Sequence, residues 1–242
     1  MAELLHLADR VLYQSEFCRF AADHFLGSRT QGAEILYNAV NMSAFKPPAS
    51  RPAAFTLAIC GSHHDPYRLP LAVQTLAVVR RTIRDARLYI AGRASSDQLR
   101  EVCGLASTAG VADAVDISGP YRQEDAPSVY GAAHVLLHTK YADPCPSVVI
   151  EAMGCGLPIV YSKTGGTPEL VGEEAGYGVP GELDWYTPRP PSAEDMAEGV
   201  CVVAERLKSY SSAARERAVE KFDLKPWLER HRQVFEMLAR SS

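Results

Sequence analysis

The chain has 242 residues, with 25 Lys and Arg against 29 Asp and Glu, and its net charge of −4 gives no overall field that would attract nucleic acid or an anionic membrane. A hydrophobic fraction of 47% with a charged fraction of 22% is ordinary for a soluble globular protein. No apolar run reaches membrane-spanning length, and the amino-terminal stretch lacks the pattern of a signal peptide.

The six cysteines form no Cys-x-x-Cys pair. They predict reduced thiols in a cytoplasmic protein rather than a disulfide framework or a zinc site. His63 and His64 are adjacent, but no third ligand stands at metal spacing, so we expect a solvated polar turn there. The sequence therefore predicts neither a metal site nor a cofactor.

The first fifty residues differ from the rest in pattern. Residues 9–14 read as a strand, and Ser15 is a plausible cap for a helix that ends near Gly27. The segment 34–40 leads into a Pro-rich stretch, 46–53, that is typical of a linker. We therefore interpret residues 1–50 as the end of another unit plus a linker, and residues 51–242 as the main domain.

From residue 55 onward, continuous apolar runs alternate with helical patterns. The runs are 55–61, 87–92, 114–119, 134–139 and 157–162, with helices expected near 70–84, 96–108, 127–132 and 146–154. Continuous apolar runs indicate strands buried on both faces, and intervening helices indicate parallel connections. The prediction is an α/β, doubly wound, Rossmann-like domain, whose ligands bind beyond the carboxyl ends of the strands.

Helices are expected to follow a Pro- and Gly-rich loop that begins after Val179. The last of them, 224–240, has an apolar stripe at helical spacing. We interpret this stripe as core packing.

The stretch after the strand 134–139 has the features of an anion site. Pro146 suits the first turn of a helix, and the next amides, on Ser147, Val148 and Val149, would have no partner within the helix. Amides at a helix amino terminus, with the positive end of the dipole behind them, favour a diphosphate.

Two acids flank this predicted site. Glu151 lies in the same helix and leans toward its amino terminus, where it could hold ribose hydroxyls, and Asp143 in the preceding loop could face a sugar. A helix cap and a solvated surface charge are equally good readings of the two acids taken alone. The next strand ends in a turn with Gly165 and Gly166, which would let backbone approach a ligand or would simply connect strand to helix.

The whole stretch resembles the signature of the group 1 retaining glycosyltransferases, which have two facing Rossmann-like domains (the GT-B arrangement). Asp143 stands seven residues before Glu151, and EAMGCGLPIVYS and TGGTPEL match the rest of that signature closely. The family has Glu where this chain has Asp143, a side chain shorter by one methylene.

The resemblance covers nearly the whole chain, from about residue 8 to residue 235. It implies that ILYNAVN enters the second domain and that Gly61, Ser62 and Arg68 lie against the donor diphosphate. The family usually has Arg where Ser62 stands, so we expect weaker diphosphate binding, with Arg68 as the main cation. Lys140 or Lys163 could compensate, although each taken separately reads better as an ordinary surface lysine.

The resemblance also implies a reaction and a missing partner. The expected reaction transfers a sugar from a nucleotide diphosphate sugar to an acceptor hydroxyl with retention and without a metal ion, with Glu151 holding ribose and Asp143 the sugar. Residues 4–26 would correspond to the last strand and helix of an amino-terminal acceptor domain, and residues 224–238 to the C-terminal helix that crosses back onto that domain. We therefore expect an acceptor subunit or self-association.

Several other functions fit parts of the pattern. A non-catalytic nucleotide-sugar-binding or regulatory subunit fits Ser62 and the short chain equally well. A sugar-nucleotide epimerase shares the architecture, and a glycosidase could use two carboxylates, but the pattern around Gly165 and Gly166 favours transfer. The glycine fingerprint of a dinucleotide oxidoreductase does not occur.

Overall fold

Two parallel sheets organise the computed structural model, which describes residues 1–29 and 31–241. A small sheet pairs β1 (Val11–Tyr13) with β2 (Ala33–Ile35). The large sheet contains β3 (Thr56–Ser62), β4 (Arg87–Arg93), β5 (Val115–Gly119), β6 (Val135–His138), β7 (Ile159–Ser162) and β8 (Gly176–Val179). Its spatial order is β5-β4-β3-β6-β7-β8, so the winding reverses between β3 and β6, where such sheets bind ligands.

Ten α-helices surround the sheets within the described residues. They are α1 (Ala2–Leu7), α2 (Glu16–Leu26), α3 (Arg68–Val79), α4 (Ser96–Thr108), α5 (Ala126–Gly131), α6 (Ser147–Gly154), α7 (Thr167–Val171), α8 (Ala193–Glu205), α9 (Leu207–Lys221) and α10 (Leu224–Ser241). None of the helices seen in these residues is both long and apolar enough to cross a membrane.

Strand β3 shows why the apolar runs are continuous. Leu57 and Ile59 belong to a core cluster with side chains of α3 and α8. Ala58 and Cys60 point to the opposite face and join a cluster with side chains of α6. Because successive strand residues face opposite sides, and helices cover both sides, every position of the run is buried.

The five predicted strands and the doubly wound fold are confirmed, with differences at the ends of elements. Helix α3 begins at Arg68, two residues before the predicted start, and ends at Val79 because the chain turns there toward β4. The prediction missed α1 and β8. The β8 sequence is GYGV, whose two glycines weaken the strand signal.

The predicted linker is fixed against the main domain. Arg51 donates to four carbonyl oxygens, including that of Cys155 at 2.7 Å. Met42 and Phe45 are buried in the core, and Arg215 donates to both of their carbonyl oxygens. The division at residue 50 stays a prediction, but residues 42–51 pack as part of the main domain.

The amino-terminal segment and α10 meet beside one bridge between chain segments. The Val40 amide donates to the Phe222 carbonyl, and the Leu224 amide donates to the Val40 carbonyl. Arg230 of α10 then pairs with Glu34 of β2 at 2.6 Å. Helix α10 therefore leaves the main domain and packs against the segment before residue 40.

The prediction that the α10 stripe packs in the core is largely wrong. Val234 is buried, but Leu228 is 53% exposed and Phe235 is 66% exposed. Leu224, Trp227, His231 and Leu238 are half-buried, so the stripe packs in part against the chain. Ser15 does cap α2 as predicted, since its hydroxyl accepts the Cys18 amide, and Gly27 after it has φ of 91°.

Candidate functional site

Two glycines bring the carboxyl ends of β3 and β4 into contact. Gly61 and Gly92 are register partners with φ of 96° and 129°, a region that side chains disfavour. A Cβ atom on Gly92 would lie 1.7 Å from the Gly61 carbonyl oxygen. A cleft of 210 Å³ opens over this pair, lined also by Ser62, Arg93 and Tyr121.

Helix α6 opens directly beside this cleft. A Cβ atom on Gly61 would lie 3.3 Å from Cγ1 of Val148. No side chain caps the amino terminus of α6, whose cap residue is Pro146. Ser147, the first residue of the helix, is exposed. The amides of Ser147 and Val148 therefore have no hydrogen-bond partner among the described residues, and their contact with an anion stays a prediction.

The amide of Val149 does not match the prediction that it is free. It donates to the Pro146 carbonyl oxygen at 3.1 Å, so the first turn of α6 is tighter than a regular α-helical turn. The fixed φ of Pro146 starts this turn directly from the extended loop. A ligand at α6 would meet two unpaired amides rather than three.

Glu151 is buried in α6 and is held by two side chains. It is 7% exposed. Gln123 Nε2 donates to its Oε1 at 2.9 Å, and the Tyr130 hydroxyl donates to its Oε2 at 2.6 Å. Burial, followed by the charge of Glu151, raises the pKa of Tyr130, which keeps this hydroxyl protonated as a donor. Each carboxylate oxygen retains a further lone pair, so contact with a ribose stays a prediction.

Asp143 is buried among cationic and imidazole groups. Its Oδ2 lies 3.3 Å from Lys140 Nζ and 3.5 Å from His138 Nε2. Burial raises the pKa of Asp143, but the two neighbours outweigh burial and hold it below its usual value. Burial in turn lowers the pKa of His138. An ionised Asp143 thus sits at the carboxyl end of β6, and its contact with a donor sugar stays a prediction.

Arg68 is more deeply placed than a typical phosphate-binding cation. Only 3% of the residue is exposed, and its Nη1 donates to the Ser62 carbonyl oxygen at 2.5 Å. Burial lowers its pKa, while Asp65, Tyr67 and Asp143 act in the opposite direction. Its buried Nε has no hydrogen-bond partner among the described residues. Arg68 therefore shapes the β3–α3 turn, and its role toward phosphate stays a prediction.

The Gly165–Gly166 turn packs on the chain around Asp143. Cβ atoms on Gly165 and Gly166 would lie 2.6 Å and 1.9 Å from the carbonyl oxygens of Asp143 and Pro144. The Gly166 amide also donates to the Asp143 carbonyl at 2.8 Å. These glycines are needed for contact between two loops of the protein, and contact of the same turn with a ligand stays a prediction.

Glu169 follows in the same motif and forms hydrogen bonds with the amino-terminal segment. Its carboxylate accepts the backbone amides of Glu16 and Phe17, at 2.8 and 3.0 Å, and the Tyr37 hydroxyl at 3.0 Å. Burial, reinforced by Glu169, raises the pKa of Tyr37 to about 12. An acid at the amino terminus of α2 complements its dipole, so Glu169 ties α7 to α2.

The two lysines proposed as compensating cations already have acidic partners. Lys140 pairs with Asp143, and Lys163 lies 3.5 Å from Glu173. The sequence reasoning did not identify Gln123, Tyr130 or Arg93. Arg93 ends β4 at the same sheet edge, so the criterion that selected the lysines, a cation at the carboxyl end of a strand, would also have found it. The contacts of Gln123 and Tyr130 with Glu151 depend on tertiary packing.

Comparison with known proteins gives a family and a fold. A sequence model described as "Glycosyl transferases group 1" matches residues 54–206. D-inositol 3-phosphate glycosyltransferase of Segniliparus rotundus is 25% identical over 223 residues, which are 87% of this chain and 48% of that protein. The chain thus spans about half the length of the curated relatives it matches.

Two solved structures show the same fold. Sucrose-phosphate synthase of Thermosynechococcus elongatus has a TM-score of 0.82 at 23% identity, over 100% of this chain and 61% of that one. HepE of Anabaena, solved in complex with UDP and glucose, has a TM-score of 0.75 at 22% identity, over 98% of this chain and 65% of that one. Both likenesses extend across the six-stranded sheet and the segment before it.

Proposed function

This chain belongs to the group 1 glycosyl transferases, and on that premise we propose that it is the donor-binding half of a retaining glycosyltransferase. It would bind a nucleotide diphosphate sugar and support transfer of the sugar to an acceptor hydroxyl, with retention at the anomeric carbon and without a metal ion. A cytoplasmic location is part of the proposal and is supported by the six free cysteines.

One observation carries this proposal: the uncapped start of α6 lies beside Gly61, which lines the cleft over the ends of β3 and β4. Unpaired amides and the helix dipole would bind the diphosphate and stabilise the charge that it gains as a leaving group. HepE, a protein of the same fold, was solved with UDP and glucose. That complex supports a nucleotide sugar as the ligand class.

The two acids would have separate roles in this complex. Glu151, oriented by Gln123 and Tyr130, would accept hydrogen bonds from ribose hydroxyls next to the diphosphate. Asp143 would accept from hydroxyls of the donor sugar, with Lys140 and His138 keeping it ionised. The Gly165–Gly166 turn would complete the sugar side of the site through its contact with Asp143.

The acceptor site and the catalytic base would lie outside the described residues, in an acceptor domain, an acceptor subunit or a second copy. Exposed apolar side chains on the segment before residue 40 support that part of the proposal. The alternative function, a nucleotide-sugar-binding or regulatory subunit without catalysis, is supported by Ser62, which offers a diphosphate one neutral donor where the family usually has Arg. Release of labelled sugar from UDP-glucose or GDP-mannose, with and without acceptor, separates the two functions.

The site itself is tested by removing one amide from α6. Ser147→Pro deletes the amide at a position where proline fits a helix, and should weaken UDP or GDP binding about 10- to 100-fold in calorimetry, the effect of a lost hydrogen bond to a charged group. Ser147→Ala keeps the amide and should bind as the original chain does.

A matched control exists in α4. Ser96 also follows an extended cap residue and also opens its helix, so Ser96→Pro should leave nucleotide affinity unchanged. Equal affinities for Ser147→Pro and Ser96→Pro would show that α6 does not bind the diphosphate.

A further inference from the structure

We propose that Arg93 is the cation that binds the phosphates of the donor, an inference that rests on the proposed function. Arg93 is the last residue of β4, is exposed, and lines the cleft together with Gly61 and Ser62. Within the part of the chain that the structure describes, its guanidinium makes no hydrogen bond or ion pair, so its five donors are available to a ligand.

The other cations at this edge of the sheet are already engaged. Arg68 is buried and donates to the Ser62 carbonyl oxygen. Lys140 neutralises Asp143, and Lys163 pairs with Glu173. Using either lysine for phosphate would require breaking an ion pair, and the unpaired Nε of Arg68 is buried. Arg93 is exposed and would break no contact in the described residues.

The register of the sheet places Arg93 within reach of α6. Arg93 pairs with Ser62, and paired residues of neighbouring strands lie about 5 Å apart with side chains on the same face. Gly61, beside Ser62, packs against Val148 in the first turn of α6. The α6 amides and the Arg93 guanidinium therefore lie on either side of the Gly61–Ser62 segment. A diphosphate bound there could contact both, since a guanidinium can bind two phosphate oxygens at once.

The experiment compares a nucleoside with its diphosphate. Arg93→Gln should weaken UDP or GDP binding about 10- to 100-fold, the effect of losing a charged hydrogen-bond partner, and should leave uridine or guanosine binding unchanged. Arg100→Gln is the control, because Arg100 is exposed on the following helix and pairs with Asp97. Arg93→Lys should retain part of the affinity, because lysine keeps the positive charge but cannot bind two phosphate oxygens at once as a guanidinium does.

A rescue separates a phosphate contact from a general effect. Ser62→Arg in the Arg93→Gln chain puts a guanidinium on the neighbouring strand and should restore diphosphate affinity at least in part. Unchanged diphosphate affinity in Arg93→Gln would overturn the proposal. An equal loss for nucleoside and diphosphate would also overturn it, because Arg93 would then contact the base or support the fold.

The original chain tests the underlying function in the same experiment. If it binds neither UDP nor GDP, both the proposed function and the role of Arg93 are wrong. If it binds both nucleotides and Arg93→Gln binds them equally well, only the role of Arg93 fails.

Discussion

Buried ionisable side chains at the carboxyl edge of the sheet set the charge of the site. Arg68 is surrounded by groups that burial keeps neutral or that carry the opposite charge. His63 is fully buried, and burial, together with the charge of Arg68, lowers its pKa from 6.5 to about 4 despite a hydrogen bond to the Ala91 carbonyl. Its Nε2 must carry the proton for that bond, since a carbonyl only accepts. His63 is thus a neutral, buried side chain beside a buried cation, so the prediction of a solvated turn is wrong for His63.

This neutral histidine predicts acid sensitivity of the fold. Between pH 6.5 and about 4 only the unfolded chain protonates His63, so the free energy of unfolding falls as the pH falls through that range. The loss from this one group is on the order of 3 kcal/mol when complete. His63→Gln, which can still donate to the Ala91 carbonyl, should lose less stability between pH 7 and pH 4.5 than the original chain in urea unfolding.

His64→Gln is the control for this prediction, since it removes the neighbouring histidine, which is exposed. His134 and His138 also have pKa values lowered by burial, so all variants should lose some stability in acid. Parallel stability curves for the original chain and His63→Gln would contradict the prediction.

At the scale of elements, the site depends on how closely β3 and β4 approach. Gly61 and Gly92 have no side chains, so the ends of the two strands touch and leave space above them for the cleft. The same close approach recurs where the Gly165–Gly166 turn packs on the Asp143 loop. Glycines thus bring together the strand ends and loops that carry the site.

Closing this space should therefore destabilise both fold and site. Gly92→Ala puts a methyl group 1.7 Å from the Gly61 carbonyl, and should lower the free energy of unfolding by at least about 2 kcal/mol. Gly104→Ala is the matched control, because nothing lies within 4 Å of a Cβ atom at that helical glycine, and it should stabilise by up to about 1 kcal/mol. Equal midpoints in urea would contradict this account.

The sequence predicted the elements that obey a simple pattern. Apolar runs buried on both faces located five strands, and the match of Pro146 to a helix start located α6. Strand β8 has two glycines among its four residues, so it lacks a continuous apolar run. The tight first turn that occupies the Val149 amide, and the side chains that hold Glu151, follow from tertiary geometry that no local pattern encodes.

At the scale of the molecule, apolar side chains remain exposed on the segment before residue 40 and on α10. On α1, Leu4 is 69% exposed and Leu7 is 72% exposed, and Phe20 and Phe25 of α2 are each 53% exposed. Such a concentration of large apolar side chains is typical of an interface. The resemblance predicted this surface, whereas the apolar stripe of α10 taken alone suggested a core.

This surface predicts association that depends on α1. In light scattering the chain should show a mass that rises with concentration, and Leu4→Gln with Leu7→Gln should shift it toward the monomer because each change removes apolar area from the interface. Tyr186→Gln, in a loop and 82% exposed, is the control and should have no effect. A monomer at every concentration, for all variants, would count against self-association and leave a separate acceptor subunit as the partner.

The bridge between Val40 and Asp223 gives this architecture a pivot. The chain passes between the small sheet and the main domain twice, side by side, so a rotation about this point would stretch neither connection. Helix α10 would turn with β2, to which Arg230 binds it. Such a rotation would have to break several contacts, among them those of α2 with Trp185 and with Glu169, which follows directly on the Gly165–Gly166 turn. A rotation of the segment before residue 40 against the main domain would therefore also displace the loop that carries Asp143.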